Sequence, residues 1–67
     1  MTTISAEKWD WIHHQIKLAR EAHAVGNDTL AHGIMGRLLK SYGRRRDVVG
    51  SNVRVAAYHV GLITDSE

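Results

Sequence analysis

Ser51-Asn52-Val53-Arg54-Val55-Ala56-Ala57-Tyr58-His59-Val60-Gly61-Leu62-Ile63 is the stretch whose period decides the fold. Five of the six valines lie between Val48 and Val60, and β-branched residues favour strands. A strand would need strict alternation. Val53, Val55 and Ala57 supply it, but Ala56, Val60 and Leu62 then fall on the face that should be polar. As a helix the same residues sort into two stripes, Val53, Ala56, Ala57, Val60 and Ile63 on one side and Val55, Tyr58, His59 and Leu62 on the other, interrupted by Arg54 and Gly61. Helix is therefore expected over 52–63. A helix apolar on both sides must be covered on both sides, and a chain of 67 residues has little else to cover it with. A second copy or a foreign partner is implied.

Working outward, Arg44, Arg45 and Arg46 form a short exposed link, followed by Asp47, Val48, Val49 and Gly50 as a turn or a single helical turn. The helix before it is bounded by Asn27 or Asp28 and by Gly43, with Lys40 in the last turn where a cation suits the dipole, which predicts 28–42. Leu30, Ala31, Ile34, Met35, Leu38, Leu39 and Tyr42 form its core face. Gly33 and Gly36 lie on the opposite side with His32, and interior glycines cost about 1 kcal/mol each against alanine. They mark a close approach to the backbone, or are tolerated. The first helix, 6–25, has Ser5 as N-cap, Glu7 in its first turn and Gly26 at its left-handed end. It too has two stripes, Trp9, Ile12, Ile16, Ala19 and His23 on one and Trp11, Leu18, Ala22 and Val25 on the other, hence two packing partners. Residues up to Ile4 and the polar tail Thr64-Asp65-Ser66-Glu67 are expected to be loose.

At this length the chain is one domain, and folding buries only about 60% of the unfolded surface. There is no cysteine to supply a disulfide, so oligomerisation is the remaining common support. The polar start and the absence of a long apolar run predict neither a signal peptide nor a membrane span, and the expected location is the cytoplasm. Net charge is only +2, but Arg37, Lys40, Arg44, Arg45, Arg46 and Arg54 face the single acid Asp47 across the middle segment from Arg37 to Arg54.

Five histidines, His13, His14, His23, His32 and His59, contain no i, i+4 pair, so no metal site is expected, and no cofactor. Ser5, Ser41, Ser51 and Ser66 lie at helix ends or flexible positions without a nucleophile elbow, and neither G-x-x-x-x-G-K nor G-x-G-x-x-G occurs. The chain reads as a non-enzyme. Val48-Val49-Gly50-Ser51-Asn52 leading into a helix loosely resembles a helix-turn-helix, with arginines upstream. A recognition helix needs a polar outer face, however, and only Arg54 and Asn52 offer one here, so nucleic acid is the less favoured partner.

The chain resembles, in size and make-up, the small helical proteins that bacteriophages produce early in infection to disable a host factor. Its opening, Ile4-Ser5-Ala6-Glu7-Lys8-Trp9-Asp10-Trp11-Ile12-His13-His14, is similar to that of the small anti-quorum-sensing proteins of Mu-like Pseudomonas phages. The resemblance implies a helical dimer, in the host cytoplasm, that binds the DNA-binding domain of a LuxR-type activator, keeps it off promoters, and also binds the ATPase driving pilus assembly. No contact residue follows from it.

The residues themselves predict a three-helix, all-α domain that forms an intertwined or face-packed homodimer. Its dimer contacts are expected at Trp9, Ile12, Ile16, Val55, Tyr58, His59, Val60 and Leu62. The partner surface is expected at Arg37, Lys40, Tyr42, Arg44, Arg45 and Arg46, because tyrosine and arginine combine contact area with donors. A small DNA-binding regulator and an assembly protein of a larger particle are the rival readings.

Overall fold

Ser5 opens the first helix as the spacing predicts. Its hydroxyl accepts the Lys8 amide at 3.2 Å, and α1 runs over Ala6–Ala24. This computed structural model describes residues 4–63, and the expected looseness of residues 1–3 and of the tail Thr64 to Glu67 lies outside them. Ile4 does not belong to that loose start, since it packs against the core. Gly26, at φ +85°, closes α1, with its own amide bonded to the His23 carbonyl and the Asn27 amide to that of Ala22. That pair of bonds satisfies carbonyls the helix end would otherwise leave open, and it needs a left-handed residue that glycine supplies without strain.

Helix α2 follows at once over Asp28–Tyr42, with Asn27 as the N-cap accepting the Leu30 amide. The tight turn makes α1 and α2 an antiparallel pair, clamped at the turn by His23, whose Nδ1 donates to Asp28 at 2.7 Å. His23 was expected on an apolar stripe, in a core or an interface. It is exposed and pairs with a carboxylate instead, because the stripe turns away from the core at the last turn of α1.

The largest departure concerns the third helix. Helix α3 spans Val48–His59, not 52–63, and both displaced ends have a local cause. At the start, Asp47 acts as N-cap, accepting the Gly50 amide at 3.2 Å, so of the two alternatives for this segment, a turn or a single helical turn, the second is realised, continuous with the rest of the helix. At the finish, Gly61 at φ +79° does for α3 what Gly26 does for α1, and Leu62 and Ile63 lie beyond the helix.

The link between α2 and α3 is bound more firmly than an exposed basic run. Arg45 donates to both oxygens of Asp47, with Nη2 at 2.5 Å and Nε at 3.0 Å from Oδ2. Arg54, from the second turn of α3, reaches back and gives Nη1 to the carbonyls of Gly43, at 2.9 Å, and Arg45, at 2.6 Å. It thereby satisfies backbone acceptors at the end of α2 and in the link. The Arg45 bond, and after it the Gly50 amide, hold the Asp47 carboxyl down to about 2, while the Arg45 guanidinium is pushed up by the same contact. A carboxyl lowered on folding contributes stability that is present above its ordinary pKa and is lost as pH falls through the lowered one. Melting temperature should therefore drop between about pH 4 and pH 2, and Asp47→Asn should flatten that drop. An equally steep drop in the variant would show that Asp47 is not its source.

The core runs through all three helices. Ile12, Ala19 and Ala22 of α1, Ala31, Met35 and Leu38 of α2, and Val49, Val53, Ala56 and Ala57 of α3, with Val60 just after it, are buried. Each large apolar side chain so buried is worth about 1.5–3 kcal/mol. At the end of α3, His32 Nε2 donates to the Val60 carbonyl at 2.8 Å, tying α2 to the last turn. The result is a three-helix, all-α arrangement with no strand among the described residues. No helix among them is long and apolar enough to cross a membrane.

Gly33 and Gly36 make no close approach within the chain, since a Cβ at either would meet nothing within 4 Å. Gly33→Ala should accordingly raise stability by up to about 1 kcal/mol through helix propensity alone. A thermal melt that moves down instead would reveal a contact at that face.

Candidate functional site

Among the concave surfaces that remain once the core is complete, two are lined by residues of two helices. The first arises from the antiparallel pairing of α1 and α2, which sets residues equidistant from Gly26 level with one another and so brings the start of α1 beside the end of α2. Lys8 and Trp11 from α1 and Arg37, Leu38, Lys40, Ser41 and Tyr42 from α2 line a cleft of about 380 Å³. The Lys8 ammonium lies 4.8 Å from the centre of the Trp11 ring, close enough for a cation–π contact, and the indole remains 46% exposed. Three cations and two aromatic rings thus share one cleft, and no carboxylate is among its walls.

The second is a groove of about 190 Å³ between α1 and α3, lined by His13, Ile16 and Arg20 on one side and Asn52, Val55 and His59 on the other. Val55 and Tyr58 are 50% and 49% exposed. The outer stripe of α3 is therefore left open by the chain's own fold, while Val53, Ala56, Ala57 and Val60 of the inner stripe are spent on the core.

The residues expected to bind a partner are divided by the structure. Arg37, Lys40 and Tyr42 meet in the α1–α2 cleft, with Tyr42 half-buried against the core. Arg44 and Arg46 are exposed on the link, and Arg45 is engaged by Asp47. The residues expected at a dimer contact divide likewise. Ile16, Val55 and His59 share the α1–α3 groove, Tyr58 stands exposed on the same helix, and Trp9 and Leu62 are half-buried against the core. Ile12 and Val60, at 0% and 1% exposure, lie inside the chain and present no surface to a second copy in this conformation.

Lys8 and Trp11 were not among the expected site residues. The signal for them was available in the turn at Gly26, because an antiparallel pair places Trp11 opposite Ser41 whatever the details of packing. Arg54 was read as an outward break in the apolar circumference, and it faces inward, onto the carbonyls of the link. Compared with protein families, curated proteins and solved structures, the chain matches none.

Proposed function

We propose that the chain is a non-enzymatic, protein-binding inhibitor that works as a homodimer and acts by occupying a partner's working surface. The observation that carries this reading is the outer stripe of α3, where Val55 and Tyr58 stay half exposed after the chain has closed its own core. Apolar surface of that kind, beside the groove with Ile16 and His59, suits a second copy. The separate cationic cleft leaves a second surface for a different protein. A LuxR-type transcription activator, kept from its promoters, is the host partner suggested by the resemblance of the opening residues, with the pilus-assembly ATPase as a second. The cytoplasm of the host bacterium is where both would be met.

Direct DNA binding has less support. The exposed positions of α3 are Val48, Ser51, Val55, Tyr58 and His59, and its single arginine is occupied by backbone carbonyls. No lysine or arginine of that helix is left to approach phosphate or a guanine edge.

Sedimentation and affinity capture test the two halves of the proposal. The chain should sediment as a dimer at micromolar concentration, and tagged chain should retain a specific host protein, with the activator and the ATPase as named candidates. A monomer at high micromolar concentration removes the dimer. Retention of DNA without protein removes the inhibitor and leaves a small transcriptional regulator.

A further inference from the structure

We propose that the α1–α2 cleft is the docking site for an acidic segment of the partner protein that carries an apolar or aromatic anchor, its carboxylates meeting Lys8, Arg37 and Lys40 and its anchor covering Trp11 and Tyr42. The proposal rests on the protein-binding reading and specifies the chemistry of what is bound. Charge complementarity is the first argument. Lys8, Arg37 and Lys40 stand around one cleft with no acid among its walls, although Glu7 and Asp10 are neighbours of Lys8 in sequence. The helical period turns Asp10 away, and Glu7, one turn before Trp11, is not among the cleft's walls, so the three cations outweigh the acids there in a chain whose net charge is only +2. The second argument is the exposed indole. Trp11 is held by Lys8 at one face yet remains nearly half open, which is the state of an anchor residue awaiting cover.

Two other ligand classes fit less well. A small organic anion needs a site that encloses it, commonly with 70–90% of its surface buried, whereas this cleft lies on the surface between two helices. A single nucleic-acid strand needs a continuous basic track with successive stacking faces. Here the cleft's own basic side chains gather at one end of the α1–α2 pair, Lys17 and Arg20 line other surfaces of α1, and Arg54 of α3 is turned inward. A protein segment needs only one anchor and a few carboxylates within reach.

Fluorescence anisotropy with labelled short peptides tests this on the intact chain. The probes are an Asp/Glu-rich peptide with a central Leu-Trp pair, the same peptide with Ser-Ser in place of that pair, and oligothymidylate. The Leu-Trp peptide should bind most tightly. Trp11→Ala and Arg37→Glu should each weaken it at least about tenfold, as expected of an anchor and a paired charge at an interface centre. Lys17→Glu, an equal change of charge elsewhere on α1, should alter it by less than about twofold. All three positions are exposed, so circular dichroism should show each variant folded. The assignment is overturned if the Ser-Ser peptide binds equally well, if oligothymidylate binds more tightly through the same residues, or if the wild-type chain binds no probe. It is overturned too if Trp11→Ala and Arg37→Glu leave capture of the host protein unchanged, a result that places the partner surface elsewhere while the inhibitor reading survives. Failure of that reading is a different result, namely a wild-type chain that binds the Leu-Trp peptide but retains no host protein.

Discussion

Gly50→Ala should destabilise the chain by about 3 kcal/mol, at the upper end of the usual cost of overpacking, and should release the first turn of α3. A Cβ at position 50 would stand 2.1 Å from the carbonyl oxygen of Arg45 and 2.7 Å from its carbonyl carbon. Those are backbone atoms, held in place by the Arg54 guanidinium and by the Arg45–Asp47 pair, so no side-chain rotation relieves the overlap. Alanine's advantage over glycine in a helix, about 1 kcal/mol, is too small to compensate. The total stability of a chain this size is about 5 kcal/mol, so a large part of it would be lost. Urea denaturation of wild type and variant checks this, and an unchanged midpoint would mean that the link moves freely away from α3. The same substitution has the opposite expected sign at Gly33, where no atom lies within reach of a new Cβ.

The second large effect separates the fold from association. Val60→Glu should unfold the chain at every concentration, because residue 60 is 1% exposed within a single copy and an unpaired buried carboxylate costs several kcal/mol. Val55→Glu, at a half-exposed position of α3, should leave the helical signal intact and shift sedimentation towards the monomer. If Val60→Glu is folded and monomeric, the side chain belongs to a contact between copies and the single-chain core is not self-sufficient. If Val55→Glu stays dimeric, the copies meet elsewhere than on the outer stripe of α3.

Much of the architecture was legible because its signals are local. Ser5, Gly26 and Asn27 mark ends of α1 and α2 through hydrogen bonds that reach only a few residues, and the structure uses each of them in that way. The bounds of α3 were misplaced for an equally local reason. Asp47 was grouped with the arginines as charge rather than recognised as a cap, and Gly61 was treated as a gap in a stripe rather than as a terminator. What periodicity could not reveal was which of two apolar stripes the chain would use itself. On α1 the core takes Ile12 and Ala19 from one stripe and Ala22 from the other, leaving Trp11, Leu18 and Val25 outside. That division depends on the angle at which α2 and α3 cross α1. The cleft was half visible for the same reason, since Arg37, Lys40 and Tyr42 adjoin in sequence while Lys8 and Trp11 arrive from the far end of the hairpin.

The bond from α2 to the last turn of α3 also determines where a proton sits. A carbonyl oxygen only accepts, so the imidazole nitrogen that faces Val60, Nε2 of His32, must carry hydrogen. At the turn between α1 and α2 the atom facing the Asp28 carboxylate is Nδ1 of His23, and there the hydrogen belongs on Nδ1. With a single hydrogen on each ring, the two imidazoles are opposite tautomers, which nitrogen NMR should resolve as inverted shift patterns. In that form the lone pairs lie on Nδ1 of His32 and Nε2 of His23, so the same side-chain type offers opposite nitrogens at the tie between α2 and α3 and at the turn between α1 and α2.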